Sequence, residues 1–262
     1  MPTVTSKDGT SIAYERSGDG PAVILVDGAL CYRDFGPMRP LAALLAQRFT
    51  VYAYDRRGRG QSADTTPYAA EREVEDIAAL IAEAGGRAHL FGTSSGAVLA
   101  LEAARQLTGE VTKLAMYEPP LSVNEQGVER FTAYRAHIGE LLAAGRRGDT
   151  AEAFMRLVGQ PDEAISGMRQ APMWPMFEAV APTLAYDAAV MGDSSVPVSV
   201  ASSVAISALV MAGGASPEFM QQAAREVAGA MPHARYQTLE GQTHAVDVEA
   251  LAPVLVEFFT EA

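Results

Sequence analysis

The five residues Gly92-Thr93-Ser94-Ser95-Gly96 constrain this chain more than any other part of its sequence. They follow an apolar, strand-like run that ends at Phe91, and they precede residues 97–107, which are rich in helix formers. A G-x-S-x-G pattern on a strand-to-helix turn is typical of a nucleophile elbow, in which a strained backbone lifts the central side chain above the sheet. Gly92 and Gly96 suit such a turn because strand and helix pass too close for larger side chains.

Ser94 is therefore the candidate nucleophile. The neighbouring hydroxyl of Ser95 is a rival, but its flanking glycines have the wrong spacing for an elbow. The backbone N–H of Ser95 and the positive end of the following helix would instead face a developing oxyanion. Glycine and serine also cluster in ordinary loops, but the strand before and the helix after this segment favour the elbow.

Apolar and alternating runs separated by helical patterns predict an α/β fold, with a mostly parallel central sheet flanked by helices. The strand-like segments are residues 11–15, 22–26, 49–54, 88–91, 111–117, 207–212 and 234–239. Strand signals are missing from residues 121–201, where helical segments rich in methionine and aromatic side chains predominate. We predict a core formed by residues 1–120 and 202–262, with a helical lid inserted at 121–201.

Composition narrows the possible partners. The formal net charge of −12 makes nucleic acid an unexpected partner. Cys31 is the single cysteine, so an internal disulfide and a cysteine-rich zinc site are excluded, and a cytoplasmic location is expected. The apolar stretch 196–215 is interrupted by four serines and two glycines, which indicates a loop and a buried strand rather than a membrane span. The expected partner is a small-molecule substrate, without metal or cofactor, and the oligomeric state stays open.

A second motif, Asp55-Arg56-Arg57-Gly58-Arg59-Gly60-Gln61-Ser62, is similar to the D-x-R-G-x-G-x-S loop of the α/β-hydrolase superfamily. Together with the elbow, it makes the chain resemble that superfamily across nearly its full core, in particular the esterase, haloperoxidase-like and C–C hydrolase branches. The resemblance implies the α/β-hydrolase fold and a structural role for this loop in bracing the elbow. Epoxide hydrolases and haloalkane dehalogenases carry aspartate at the elbow, so Ser94 argues against both activities.

A serine hydroxyl needs a base to take its proton, and the chain has four histidines. The resemblance implies His244, which lies between the last strand-like segment and the last helix and gives the chain order serine first, histidine last. His89 is expected to pack within its strand. His137 in the predicted lid and His233 after a helix end are expected to have polar loop roles.

The resemblance also places the second oxyanion N–H in the loop after residues 22–26. Relatives usually have His-Gly there, and the residue after the glycine donates its N–H, which is Ala29 in this sequence. Asp27 replaces the usual histidine, and we expect its carboxylate to bind loop backbone or Arg33. Cys31 is expected to be an inert packing residue.

The acid that orients the histidine departs from the usual pattern. Its usual place, after the strand-like segment that follows the lid, holds Ser216, which we expect to be a helix N-cap. Some superfamily members place the acid after the strand that precedes the lid, and Glu118 occupies that position. Asp247 is the next candidate, although it suits the N-cap of the final helix better. A Ser94–His244 dyad without an acid is the third possibility.

Together these residues predict a serine hydrolase that acts by acyl transfer on a small, mainly apolar ester, thioester or lactone. A C–C bond hydrolase or a cofactor-free perhydrolase would use the same residues. A non-catalytic ligand-binding protein of the same fold is the remaining alternative. The missing aspartate supports it, whereas intact Ser94, His244 and elbow glycines argue against it.

Overall fold

The computed structural model describes residues 1–261, and its centre is a mostly parallel sheet. Within these residues the strands are β1 (Thr3–Thr5), β2 (Ser11–Ser17), β3 (Ala22–Val26), β4 (Thr50–Tyr54), β5 (Ala88–Thr93), β6 (Val111–Tyr117), β7 (Ala208–Gly213) and β8 (Ala234–Leu239). Their order is β1-β2-β4-β3-β5-β6-β7-β8. β2 pairs antiparallel with β1 and β4, and the six strands from β4 to β8 in this order are parallel.

Helices cover both faces of the sheet. On one face, α1 (Met38–Leu45) packs beside the C-terminal helix, Val248–Thr260, in an apolar cluster with β3 and β4. On the other face lie α2 (Ala70–Glu83), α3 (Ser95–Gln106) and the helix Glu218–Ala230. The fold predicted from the sequence is thereby confirmed, because apolar strands such as β3 are buried between two helical layers.

The predicted strand segments agree closely with the observed strands. Residues 22–26, 111–117 and 234–239 match β3, β6 and β8 at both ends. The short edge strand β1 was not predicted, because three residues with a single buried side chain, Val4, carry almost no periodic signal. α2 buries one apolar stripe against the sheet, formed by Val74, Ile77, Leu80 and Ile81.

Between β6 and β7 the chain forms helices only, and we call residues 125–203 the helical insert. They comprise α4 (Glu125–Ala143), α5 (Arg147–Leu157), α6 (Asp162–Gln170), α7 (Trp174–Val180), a 3-10 turn (Ala181–Thr183), α8 (Leu184–Val190) and α9 (Val198–Ser203). The two remaining helices are α10 (Glu218–Ala230) and α11 (Val248–Thr260). Whether residues 121–201 act as a lid stays a prediction.

One local interpretation was wrong. The segment from Val196, interpreted as a loop before a strand, contains the short helix α9, which begins after Pro197. Its serines do not interrupt the helix because their hydroxyls bind its own carbonyls: Ser202 donates to Ser199 O at 3.2 Å and Ser203 to Val200 O at 2.7 Å. Among the described residues, every helix is too short or too polar to cross a membrane.

Candidate active site

The candidate site lies at the carboxyl edge of the parallel strands, where the strand order reverses. β3 has β4 on one side and β5 on the other, so the chain leaves β3 and β5 in opposite directions, and open α/β sheets bind ligands at such a reversal. Of the four non-glycine residues with positive φ within residues 1–261, three follow adjacent strands at this edge. They are Leu30, Ser94 and Glu118, with φ of 61°, 54° and 46°. Strained backbone of this kind concentrates at functional sites.

Ser94 occupies the turn between β5 and α3, with φ 54° and ψ −131°. Its side chain is half-buried, and its backbone N–H donates to Tyr117 O at 3.0 Å, which ties the turn to β6. The predicted role of the glycines agrees with the packing. A Cβ on Gly92 would lie 2.3 Å from Gly96 O, and one on Gly96 would lie 2.4 Å from Val26 O. Glycine is therefore required where α3 crosses β3 and β5.

The loop after β3 lies against the Ser94 side chain. A Cβ placed on Gly28 would lie 2.9 Å from Ser94 Cβ and 3.5 Å from Ser94 Oγ. Ala29, the predicted N–H donor, is the next residue and is partly exposed. Ser95, whose N–H is the other predicted donor, begins α3 and is buried. Each predicted donor therefore lies close to Ser94: Ala29 follows Gly28, which packs against the Ser94 side chain, and Ser95 follows Ser94 itself.

Glu118 and His244 are in direct contact. Glu118 Oε2 lies 2.7 Å from His244 Nδ1, and Glu118 Oε1 accepts a hydrogen bond from Gly213 N at 2.8 Å. The glutamate is fully buried, whereas 43% of the His244 side chain is exposed. Burial alone would raise the pKa of Glu118, but the hydrogen bonds from His244 and Gly213 outweigh it and hold the pKa below the usual value. Glu118 is therefore an ionised carboxylate facing the ring.

The other candidates for the acid lie elsewhere. Asp247 is the N-cap of α11, where its side chain accepts from Glu249 N at 3.0 Å, as expected for a structural role. Ser216 is not a helix N-cap, because the N-cap of α10 is the next residue, Pro217, and the helix begins at Glu218. Its buried hydroxyl turns inward and lies beside Glu118 without making a hydrogen bond of normal geometry.

A short chain of contacts links His244 to the elbow. Tyr117 precedes Glu118; its backbone carbonyl accepts from Ser94 N, and its hydroxyl donates to Thr243 O at 2.6 Å. The loop that carries His244 is therefore held to the strand end that also holds the elbow. Within residues 1–261, no hydrogen bond joins Ser94 Oγ to His244, and catalytic contacts of this kind often close only when substrate is bound.

The remaining histidines lie away from this edge. His89 stacks on Phe259 with ring centroids 4.9 Å apart, and its Nδ1 lies 2.7 Å from Thr112 Oγ1. Its burial lowers the pKa to about 4, so the ring is a neutral packing group. His233 is exposed in the loop between α10 and β8, as expected, whereas the loop role expected for His137 is wrong, because this exposed residue lies within α4.

A buried ionic cluster lies next to the predicted oxyanion donors, and sequence analysis did not predict it. Asp187 of α8 accepts from Arg56 and Ser95 at Oδ1 and from Arg59 at Oδ2, each at 2.7 Å. Arg56 also binds Glu73, at 2.6 and 2.8 Å. We call these five residues the Asp187 cluster. The buried guanidiniums of the 55–62 loop demand acidic partners, but nothing local identifies one that lies 128 residues away along the chain.

Asp27 follows one of its two expected alternatives. Its Oδ1 accepts from Gly28 N at 2.9 Å, so it binds loop backbone, whereas Arg33 pairs with Asp55 at 2.8 Å. Its Oδ2 is buried without a partner, and burial raises its pKa to about 7. Burial also raises the pKa of Cys31, which is consistent with an inert thiol. Residues 1–261 contain no group of three or more His, Cys, Asp or Glu side chains that could hold a metal ion.

Comparison with known sequences and structures identifies the class of protein to which this fold and this arrangement of residues belong. Residues 20–255 match the model of the alpha/beta hydrolase family, and the chain belongs to that family. It is similar to an alpha/beta hydrolase from Sphaerobacter thermophilus DSM 20745, with 52% identity, a TM-score of 0.89, and coverage of 99% of this chain and 100% of the other.

Two curated relatives match more locally. A non-heme haloperoxidase from Rhodococcus erythropolis is 34% identical over 151 residues, which is 52% of this chain and 53% of the relative. A pimeloyl-[acyl-carrier protein] methyl ester esterase from Methylococcus capsulatus is 38% identical over 103 residues, or 39% and 38% of the two chains. The chain thus spans about half or less of the length of these curated relatives.

Proposed function

We propose that the protein is a serine hydrolase that transfers the acyl group of a small, mainly apolar ester, thioester or lactone to water. The observation that carries this proposal is the 2.7 Å contact between His244 Nδ1 and the buried Glu118, at the same edge as the strained Ser94 turn. A protein that only binds ligands has no use for a strained serine turn at the same sheet edge as a histidine held by a buried glutamate. The family membership and the esterase relative support the same class of reaction.

Acylation follows from the orientation of the imidazole. Because Nδ1–H donates to Glu118, the other ring nitrogen of His244 carries the lone pair and takes the proton of Ser94 as its oxygen attacks the carbonyl carbon. The resulting oxyanion accepts hydrogen bonds from the backbone N–H groups of Ala29 and Ser95. The positive N-terminal end of the α3 dipole further stabilises its charge. The tetrahedral intermediate then expels the alcohol, thiol or ring oxygen, which receives the proton from His244.

Deacylation reverses these roles. Water attacks the acyl carbon, His244 takes its proton, and the oxyanion returns to the same two N–H groups. Collapse of the second intermediate releases the carboxylic acid and restores the Ser94 hydroxyl with the proton held by the ring. Glu118 stays ionised throughout and stabilises the imidazolium.

The apolar preference rests on the surroundings of the oxyanion loop. Leu30 and Ala29 pack in one apolar cluster with side chains of the helical insert, namely Ile138, Met155, Trp174, Phe177, Leu184 and, partly buried, Phe131 and Tyr134. An acyl group that enters beside Ala29 therefore meets the aromatic and aliphatic side chains of this cluster. Such surroundings favour short apolar groups.

Labelling with a fluorophosphonate tests the proposal. Wild type is expected to react at Ser94, Ser94→Ala not at all, and Glu118→Gln and His244→Ala more slowly by roughly a hundredfold or more, because each disables the base. Glu249→Gln, which changes an exposed glutamate near the His244 loop, is the control and should react like wild type. Absence of labelling in wild type would refute the enzyme assignment, and undiminished labelling of Glu118→Gln would remove that residue from the site.

The similarity to a haloperoxidase favours one second candidate, perhydrolysis. Hydrogen peroxide would replace water in deacylation, so that the acyl-enzyme releases a peracid and the serine hydroxyl is restored. The same residues would act, and peracid formation from a short ester with peroxide present distinguishes this activity from plain hydrolysis.

A further inference from the structure

We propose that Asp187 is a positioning residue that holds both oxyanion N–H donors in place from the helical insert, an inference that rests on the proposed function. Asp187 belongs to α8, whereas the donors Ala29 and Ser95 belong to loops at the sheet edge. Three hydrogen bonds of 2.7 Å join this one carboxylate to groups that touch both loops.

The first arm reaches the elbow directly. The Ser95 hydroxyl donates to Asp187 Oδ1, and Ser95 is also the residue whose backbone N–H is the predicted elbow donor. Anchoring the side chain fixes the first residue of α3, and with it the direction of that N–H. The Ser95 side chain thus anchors the start of α3 to the helical insert, a role that the elbow motif alone does not explain.

The second arm passes through Arg59. Arg59 Nη2 donates to Asp187 Oδ2, and Arg59 Nη1 donates to Gly28 O at 2.5 Å. The Gly28 carbonyl and the Ala29 N–H belong to one peptide unit and, in the trans form, point in opposite directions. Holding the carbonyl on Arg59 therefore points the Ala29 N–H away from the cluster, in a loop whose Gly28 lies against the Ser94 side chain. The guanidinium also polarises this amide, which strengthens its N–H as a donor.

Arg56 completes the arrangement by donating to Asp187 Oδ1 and, at 3.2 Å, to Asp27 O. Asp187 is almost fully buried. Burial would raise its pKa, but the charges of Arg59 and Arg56 and the Ser95 hydroxyl hold the pKa below the usual value, so the carboxylate is ionised. Two arginines and two carboxylates, counting Glu73, balance the charge of the cluster. Because Asp187 belongs to α8 of the helical insert, the two N–H donors are held in position only when α8 packs against the sheet edge.

The test compares Asp187→Asn with a matched control, Asp76→Asn. Asp76 is equally buried and pairs with Arg57 of the same loop at 2.6 and 2.8 Å, but this pair does not reach Gly28 or Ser95. Hydrolysis of p-nitrophenyl butyrate is measured per active serine titrated with fluorophosphonate. Binding of butylboronic acid, whose boron bonds to Ser94 Oγ and whose hydroxyl stands in for the oxyanion, is measured in parallel.

For Asp187→Asn we expect kcat to fall about tenfold to a hundredfold, boronate affinity to fall by a similar factor, and KM to change less than about threefold. Asp76→Asn should keep kcat and boronate affinity within about threefold of wild type. Equal effects of the two variants, or a loss confined to KM, would overturn the role of Asp187. Wild type that neither hydrolyses the ester nor reacts with the fluorophosphonate would instead refute the proposed function.

Ser95→Ala keeps the test decisive if Asp187→Asn fails to fold. It removes the hydrogen bond from the Ser95 hydroxyl to Asp187 without changing a buried charge. We expect a threefold to tenfold loss in kcat and in boronate affinity with KM unchanged. Wild-type values for both quantities in Ser95→Ala would contradict the first arm of the proposal.

Discussion

Asp27 carries a prediction at the scale of one residue. Its carboxyl is 2% exposed, and burial raises its pKa from an ordinary value near 4 to about 7. Between these values the unfolded chain has lost the proton and the folded chain keeps it, so stability falls as the pH rises through this window and levels off above it. Asp27→Asn removes this dependence. Relative to wild type, we expect it to gain about 1.4 kcal/mol for each pH unit of the window.

Urea unfolding between pH 4 and 8 measures this difference. Asp247→Asn is the control, because the pKa of that exposed N-cap is lowered and its stabilising effect is lost only as the pH falls below the usual aspartate range. Parallel stability profiles for wild type and Asp27→Asn across pH 4 to 7 would contradict the raised pKa.

Single residues also show what sequence can predict. The choice of Ser94 as the candidate nucleophile rests on a pattern of five adjacent residues, and the structure gives this residue the positive φ that the pattern predicts. Glu118 was predicted from its place at a strand end, and the structure puts it against His244. Asp187 has no local signal, since its partners Arg56 and Arg59 are distant in sequence and meet it only after the insert packs on the sheet.

The crossing of α3 over β3 and β5 is the element-scale feature on which the elbow depends. A Cβ on Gly96 would lie 2.4 Å from Val26 O, at the end of β3, and 2.5 Å from Asp27 O, in the residue that follows; both are backbone atoms of the sheet edge and cannot move aside easily. Gly96→Ala should therefore displace α3 and destabilise the protein by about 1 to 3 kcal/mol or more. It should also slow labelling of Ser94, because the elbow moves with the helix.

Gly139→Ala provides the matched control. Gly139 lies inside α4, is exposed, and has nothing within 4 Å of an added Cβ, so the alanine should stabilise the helix by up to about 1 kcal/mol. Unfolding midpoints in urea compare the two variants. If Gly96→Ala were as stable as Gly139→Ala, the close approach of α3 and β3 would not be a constraint.

Elements differ in how well the sequence predicts them. β3 is a continuous apolar run, and both of its ends were predicted to the residue, whereas the predictions for the equally buried β4 and β7 were off by one residue. α9 was missed because its serine hydroxyls, such as that of Ser203, bind carbonyls of the helix itself and do not interrupt it. The start of α10 was misplaced because Pro217, and not Ser216, is its N-cap. Hydrogen bonds from serine side chains to nearby backbone groups stabilise helix ends and loops by similar amounts, so the sequence does not distinguish the two.

At the scale of the whole molecule, the helical insert packs differently from the sheet. Strands β5 and β6 lie inside two large apolar clusters, whereas α6 buries a single residue, Ile165. The insert has its own small apolar cluster, joined to the sheet edge through Leu30 and the Asp187 cluster. We therefore expect α6 and its neighbours to open without global unfolding, at a lower free energy than the strands.

Amide hydrogen exchange read by mass spectrometry measures these openings segment by segment. In wild type, amides of α6 should exchange well before those of β5 and β6. Ile165→Ala, which truncates the one buried side chain of α6, should speed exchange in that helix and leave the strands unchanged. Leu255→Ala, at a fully buried position of α11 against the sheet, should instead lower the protection of the strands, because it weakens the global fold by about 2 to 5 kcal/mol. Equal exchange rates in α6 and β5, or a uniform response to Ile165→Ala, would show that insert and sheet unfold as one unit, in which case the insert could not open independently to admit substrate.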